Sequence, residues 1–573
     1  MKYLRCAAGL LILAACFSGY YLAVIRTVRI KKAFAPAFLC SSAGLVMYTA
    51  GLLNILPEAA AVIAAGGCLL LLRELRRSGL HHRIPPEVLF FSAGVLILLA
   101  VCRFSYIYQW DNFSHWTMIV KLMLSENRLP NFQDTMIVFP SYPAGSASFI
   151  YFVCRIAGTS EHLMVFAQDF LILSALVSMY GVIRKKSRQS AAAVTVAVIF
   201  VFCYNTEVNG LMVDTLLTSL GIAGALILYT YRSDLRSGML YSMPVLCFAA
   251  SVKSSGMFFV LVCWCLMLHC CRNVPRTVRK GLSRVITAYF FCPAFCLYLW
   301  GRHVKLVFSS AAENSLHSVS VSNYMSVVTA KTSGDIRTIC MLFLNKMVPW
   351  HNLEMTVLIL LICLYLGFCL RSGDRNRISG ARKLLLYTLA AYIVYQVFLL
   401  ATYLFSMPVG EALKLSAYGR YHKMAFLFFA AMAVSFFVSR EADMLRKKSG
   451  IAFAGVFAAA CAAVLFLYSF QTGSAYRGEK EERQALEAVI TEYGIPQGSS
   501  YIIYTEKANN GYYYFLSRYE FMSDKVLLLN KDTAAGADSG SYDYVLIPEQ
   551  KAPGAETEKL LDSYGRVCRL GGK

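Results

Sequence analysis

Leu211–Tyr231 reads LMVDTLLTSLGIAGALILYTY, and Arg232-Ser233-Asp234-Leu235-Arg236 follows it. The run holds one charged residue, Asp214, and is long enough to cross a bilayer core, which takes roughly 17 to 25 mostly apolar residues as a helix. Lipid offers no water to backbone amides, so such a run spans as a helix. It ends on basic residues, and the same alternation of apolar runs and short basic segments continues in both directions along the chain.

Working outward from 211–231, the candidate spans are 5–25, 34–54, 57–72, 86–104, 162–183, 190–206, 239–252, 255–271, 281–300, 352–370, 384–405, 421–439 and 450–470. The expectation is an α-helical polytopic membrane protein with about 12–14 spans. Composition agrees: 57% of the 573 residues are hydrophobic and 15% charged, with mean hydropathy +0.53, whereas a soluble domain has about a quarter of its residues charged. Pro244 and the break Lys253-Ser254-Ser255-Gly256 predict a turn that splits 239–271 into two helices. No internal repeat is visible.

The formal charge is +22, but the basic residues sit between spans instead of forming one patch, which speaks against nucleic acid as a partner. Seven clusters, Arg26 to Lys32, Arg73 to Arg83, Arg184 to Arg188, Arg232 to Arg236, Arg272 to Arg284, Arg371 to Lys383 and Arg440 to Lys448, contain about half of the 55 Lys and Arg. All seven fall on one side of the spans, which the positive-inside rule makes the cytoplasm. The N-terminus, segment 105–161, loop 301–351, loop 406–420 and the C-terminal tail are then outside. The first run has a basic start like a signal peptide, but it lacks a small-residue cleavage pattern and reads as a helix. Of 19 cysteines most lie in spans, and the tail has only Cys568, so it contains no disulfide framework. Cys263, Cys265, His269, Cys270 and Cys271 lack paired ligand spacing and read as packing at a span end.

The chain divides into a membrane domain, 1–470, and a soluble α/β domain, 471–573. Helical spacing over Glu479 to Tyr493, a strand Tyr501 to Tyr504, a helix Tyr512 to Tyr519, strands Lys525 to Leu529 and Tyr544 to Ile547 and a final helix Glu556 to Tyr564 make up the latter. Outer segment 105–161 mixes aromatics, acids and prolines. Trp110 and Trp116 suit the interfacial belt, and 146–157 is apolar but too short to cross. Loop 301–351 carries Arg302, His303, Pro349, Trp350 and His351, and could fold over a cavity.

Ionisable residues in or near a membrane are expensive and so are candidates for function, with capping and ion pairing as the plainer alternatives. Asp111, His115, Asp169, Glu207, Asp214, Lys253, Arg302, His303, His351, Glu411 and Arg420 all fall at or near outer ends of spans. A partly dehydrated carboxylate at a helix mouth, Asp111, is suited to accept a hydroxyl proton. His115, one helical turn on, could orient Asp111, bind phosphate when protonated or help hold a metal. Lys253 and Arg420 are cations at a lipid boundary, suited to a lipid phosphate or to simple snorkelling. Asp214 could receive a sugar hydroxyl or pair with Lys253.

Trp110-Asp111-Asn112-Phe113-Ser114-His115-Trp116 resembles the acidic first-loop motif of the GT-C glycosyltransferases. Glu207 to Asp214, Lys253 to Gly256, the late pair Arg420-Tyr421 and an outer C-terminal domain are similar in order to bacterial relatives of the protein O-mannosyltransferases. Asn112 stands where the paired-acid form of the motif has a second carboxylate. The resemblance implies a GT-C-like fold and transfer of a sugar, with inversion, from a polyprenyl-phosphate-linked donor to an acceptor hydroxyl on a cell-envelope glycan or protein. Asp111 would be the base, with Lys253, Arg420, Arg302, His303, Asp214 and Tyr421 around the substrates. A divalent cation, Mg or Mn, is the one cofactor to consider. The expected location is a bacterial plasma membrane with the tail extracytoplasmic. The competing classes are a transporter or flippase for a lipid-linked glycan, a glycan polymerase or ligase, and a non-catalytic scaffold.

Overall fold

A computed structural model describes residues 2–77, 85–183, 188–204, 210–272, 274–308, 321–441, 477–530, 542–548 and 567–569. The chain starts with α1 (Lys2–Thr27), α2 (Ala35–Leu52), α3 (Leu56–Arg77) and α4 (Pro86–Cys102). After an irregular segment come α5 (Thr117–Glu126), α6 (Gly145–Ala157), α7 (Glu161–Leu176), α8 (Arg188–Cys203), α9 (Asp214–Thr230), α10 (Leu235–Val252) and α11 (Met257–Arg272). The short α12 (Arg276–Gly281) leads into α13 (Ser283–Val307), and α14 (Val321–Thr329) and α15 (Ser333–Met347) follow. The bundle finishes with α16 (Leu353–Ser372), α17 (Arg375–Phe405), α18 (Val409–Leu413) and α19 (Tyr418–Arg440).

Each expected span up to 421–439 coincides with a helix, and 450–470 lies outside the described residues. Among the described residues, ten helices are long and apolar enough to cross a membrane. α6 is the short apolar piece expected at 146–157, and it is buried along almost its whole length. Every residue of α7 from Leu163 to Leu176 and of α9 from Asp214 to Leu228 is buried, so these two helices form the centre. α13, α16 and α17 turn large apolar side chains outward, Leu364 being 70% exposed. Outward apolar faces on several helices are what a lipid-solvated bundle presents.

The α10–α11 hairpin forms, but Pro244 does not make it. α10 starts on Asp234, whose carboxylate accepts from Ser237 N at 3.3 Å, and it runs through Pro244 to Val252. Lys253 leaves the helix with φ −162° and ψ 148°, and a single turn Ser254–Gly256 reverses the chain. A Cβ on Gly256 would lie 2.3 Å from Ala249 O, so the hairpin closes this tightly only with glycine there. Gly145, at the start of α6, likewise allows α6 to touch Ser251, two residues before Lys253.

α9, α10 and α19 put Asp214, Lys253 and Arg420 at one end of the bundle. At the other end Lys31 N donates to Tyr231 OH at 2.9 Å, Tyr241 OH to Val28 O at 2.8 Å and Lys31 Nζ to Gly181 O at 3.2 Å. Arg377 pairs with Glu441 at 3.5 Å, and Arg440 Nη1 donates to Asn376 O at 3.1 Å. The basic segments at 26–32, 232–236 and 371–383, together with Arg440, therefore share the end away from Asp214, one helix length off, which for α19 is about 34 Å.

α20 (Arg477–Tyr493), β1 (Tyr501–Tyr504), α21 (Gly511–Phe521), β2 (Val526–Leu529), β3 (Tyr544–Leu546) and β4 (Val567–Arg569) form the tail. The sheet order is β2-β1-β3-β4, with β1 parallel to β2 and β3, and β4 antiparallel to β3. The expected α/β order is present, with β4 in addition. The expected helix Glu556 to Tyr564 lies outside the described residues. Tyr501 stacks on Phe521 at 4.2 Å in a core that is continuous with that of the bundle.

Candidate active site

Asp111 opens a tight turn in which Thr117 N–H reaches back five residues to Asn112 O. Such π-turns occur often at functional sites. The Asn112 side chain is fully buried and ties the turn down: Oδ1 accepts from Leu211 N at 2.9 Å and from Thr117 Oγ1 at 3.3 Å, while Nδ2 donates to Gln109 Oε1 at 3.1 Å. It therefore holds the turn against the segment that starts α9. Asn112 uses both its donor and its acceptor, which a carboxylate at this position could not do.

Four charged side chains from four elements meet beside this turn. Lys253 Nζ lies 3.7 Å from Asp214 Oδ1, Arg420 Nε lies 3.3 Å from Asp214 Oδ2, and Arg420 Nη1 donates to Asp111 Oδ2 at 2.6 Å. Side-chain exposure rises along this series, from 1% at Asp214 and 8% at Lys253 to 22% at Arg420 and 38% at Asp111. Cations and anions alternate along the contact path Lys253, Asp214, Arg420, Asp111, so the buried charges are compensated. Both oxygens of Asp214 are nevertheless without a hydrogen-bond donor among the described residues. Of the two sequence alternatives for Asp214, the pairing with Lys253 is present, and Arg420 joins it.

Aromatic rings surround Lys253: its ammonium lies 5.7 Å from the Trp116 ring, 5.4 Å from Tyr142 and 5.6 Å from Tyr421. Rings at this range attract a cation through their quadrupoles. Trp116 and Tyr142 stack at 5.6 Å, and His115 sits edge-on to both, at 4.8 and 5.3 Å. His115 is 1% exposed, and neither ring nitrogen has a hydrogen-bond partner among the described residues. Burial, helped by the nearby Lys253, pushes its pKa down to about 3, so the ring is neutral near pH 7. His115 thus makes no hydrogen bond to Asp111, which Arg420 holds, and its ring is uncharged in this arrangement. Sequence reasoning placed it one turn from Asp111 but could not see the aromatic shell that buries it.

Asp111, Asp214, Lys253, Arg420 and Tyr421 are brought together, with His115 behind Lys253. Arg302 is exposed on α13. His303, on the same helix, lies 5.1 Å from Trp300, whose Nε1 donates to Pro140 O at 3.1 Å, so this end of α13 meets the segment that carries Phe139 and Tyr142. Asp169 is buried inside α7, where Cys102 Sγ contacts it at 3.6 Å. His351 Nδ1 contacts Asn345 O at 2.9 Å, and Glu207 lies outside the described residues. Among the described residues no group of three or more His, Cys, Asp or Glu is gathered as a metal site, the Cys263–Cys271 stretch included. The sequence reading missed Tyr142 and the anchoring role of Asn112. Trp116 it saw as an interfacial residue and as the end of the loop motif, not as part of a shell around Lys253.

In chemical terms the cluster offers a partly exposed carboxylate, two cations suited to a phosphate and a buried carboxylate that can receive a hydroxyl. No protein-family model matches the sequence, and a search of curated proteins finds no match, so it is the geometry of these side chains that carries any functional reading.

Proposed function

We propose that the chain is a membrane glycosyltransferase of the GT-C type in a bacterial plasma membrane. It transfers a sugar from polyprenyl phosphate to an acceptor hydroxyl on a cell-envelope molecule, at the face away from the basic clusters, with the tail on that extracytoplasmic face. One observation carries the reading: Arg420 joins Asp111 to Asp214, with Lys253 behind them in an aromatic shell. A base for the acceptor and cations for the leaving phosphate are then adjacent.

The acceptor oxygen attacks C1 of the sugar as Asp111 takes its proton. The bond from C1 to the phosphate oxygen breaks, its electron pair leaves with polyprenyl phosphate, and the configuration at C1 inverts. The leaving group needs its charge stabilised rather than a proton, which Lys253 and Arg420 supply. While Arg420 is on Asp111, the guanidinium occupies the carboxylate oxygen that would receive the proton. A lipid phosphate competes for the same planar guanidinium, and as Arg420 turns to it Asp111 is released to take a proton. Donor binding and base activation are thereby linked. Asp214 then keeps Lys253 in place and can accept a sugar hydroxyl.

The test is transfer of radiolabelled sugar from a panel of polyprenyl-phosphate sugars to envelope material, with purified wild type and Asp111→Asn in parallel. Wild-type transfer that Asp111→Asn abolishes, at equal folded fraction, is the expected result. Equal transfer by both proteins would remove Asp111 as base. No transfer from any donor, combined with movement of a lipid-linked glycan across vesicles, would replace the enzyme with a transporter.

A further inference from the structure

Arg483 of α20 ties the tail to the Trp110–Trp116 turn. Its side chain is 3% exposed and faces three carboxylates. Nη2 and Nη1 hold Glu161, the first residue of α7, at 2.8 and 3.0 Å. Nε holds Glu520 of α21 at 2.9 Å, and Nη2 lies 3.1 Å from Glu487. Nη1 also donates to Ile107 O, and the guanidinium covers the rings of Tyr106 at 4.7 Å and Phe113 at 5.3 Å. Phe113 belongs to the turn itself, two residues from Asp111.

α21 completes the grip from the other side. Tyr519 lies 4.9 Å and Tyr512 5.8 Å from Phe113, and Phe515 lies 5.6 Å from Trp110. A Cβ on Gly511 would come within 2.4 Å of the Trp110 ring, so α21 approaches this closely only with glycine at its first position. Lys121 Nζ and Arg518 Nη2 add bonds to Tyr519 O and Thr135 O, both 3.0 Å. The residues on either side of Asn112 and Asp111 therefore pack on the tail, while Asp111 reaches Arg420 on α19.

We propose that the tail completes the active site: Arg483 is a positioning residue that fixes the Trp110–Trp116 turn, and through it the carboxylate of Asp111, against Arg420. The proposal rests on the glycosyltransferase reading for its catalytic consequence but not for the mechanical one. An appended recognition module would meet the bundle through an exchangeable surface. Here a buried cation shared by α7, the turn and both tail helices makes the turn's geometry depend on the tail.

The experiment compares full-length wild type, Arg483→Met, Arg483→Lys and Gly511→Val. Amide hydrogen exchange over residues 110–117 is read beside turnover and beside binding of polyprenyl phosphate. Arg483→Met should speed exchange in 110–117 with α9 and α10 unchanged, and lower turnover about 100-fold while phosphate-lipid binding stays within about twofold. Gly511→Val, which displaces Trp110 without touching the ion cluster, should do the same, and Arg483→Lys, which keeps the charge but loses the fork, should fall between. Unchanged exchange in 110–117, exchange that rises across the whole bundle, or faster local exchange with wild-type turnover would each overturn the proposal. If the wild type transfers no sugar, the functional reading fails and the exchange comparison still decides whether the tail holds the turn.

Discussion

Arg420 Nη1 lies 2.6 Å from Asp111 Oδ2, although 309 positions separate the two residues. The same guanidinium reaches Asp214 at 3.3 Å. One side chain thus bridges a surface carboxylate and a buried one, and several outcomes follow from that sharing.

Asp111→Asn should leave the fold intact, because the side chain is 38% exposed and its pair with Arg420 is partly screened. Its cost in stability should not exceed about 1 kcal/mol. Thermal unfolding and sugar transfer measured on one preparation check this: transfer should vanish and the unfolding midpoint should barely move.

Asp214→Asn should be far more damaging. Asp214 is 1% exposed and compensates Lys253, which is itself buried, so its neutralisation leaves an uncompensated interior cation at about 3–5 kcal/mol. Adding Lys253→Met should recover part of the loss, because the two residues are in contact and their effects are not additive. If the double variant unfolds at the sum of the two single losses, the coupling is absent.

Asn112→Asp restores the paired-acid pattern of the motif, yet it should weaken the protein. The Nδ2–H bond to Gln109 is lost and a carboxylate enters a fully buried position. The expected result is a lower unfolding midpoint with no gain of Mg- or Mn-dependent transfer. A chelator-sensitive rate in this variant would mean instead that Asn112 marks a former metal ligand.

His115 has a folded-state pKa depressed to about 3, against roughly 6.5 in an unfolded chain. Between these values the unfolded state binds the proton that the native state refuses. The stability contributed by keeping the ring neutral is therefore fully present above about 6.5 and is lost as the pH falls toward 3. His115→Phe should remove this slope, giving unfolding that is less acid-sensitive between about pH 6.5 and 4. Parallel unfolding curves for the two proteins across that range would contradict the burial of the charge.

Periodicity and charge along the chain were enough to reveal the long apolar helices, because a lipid-solvated helix must satisfy its own backbone and advertise itself as a long apolar run, but not the short α12, α14, α15 and α18. The hairpin at Lys253-Ser254-Ser255-Gly256 and the order of the tail's first three strands were legible for the same local reason, and Asp111, Asp214, Lys253 and Arg420 stood out as charges at span ends. What no local pattern carries is who meets whom. Pro244 signals a break, yet α10 continues through it under the packing of its neighbours. His115 looks like a partner for Asp111, yet a shell drawn from Trp116, Phe139 and Tyr142 buries it as a neutral ring. Arg483 sits on a helix that spacing alone reveals, yet only tertiary packing turns it inward onto Glu161. Pairings across hundreds of positions depend on how helices pack in three dimensions, and desolvation, which keeps His115 neutral, exists only once that packing has excluded water.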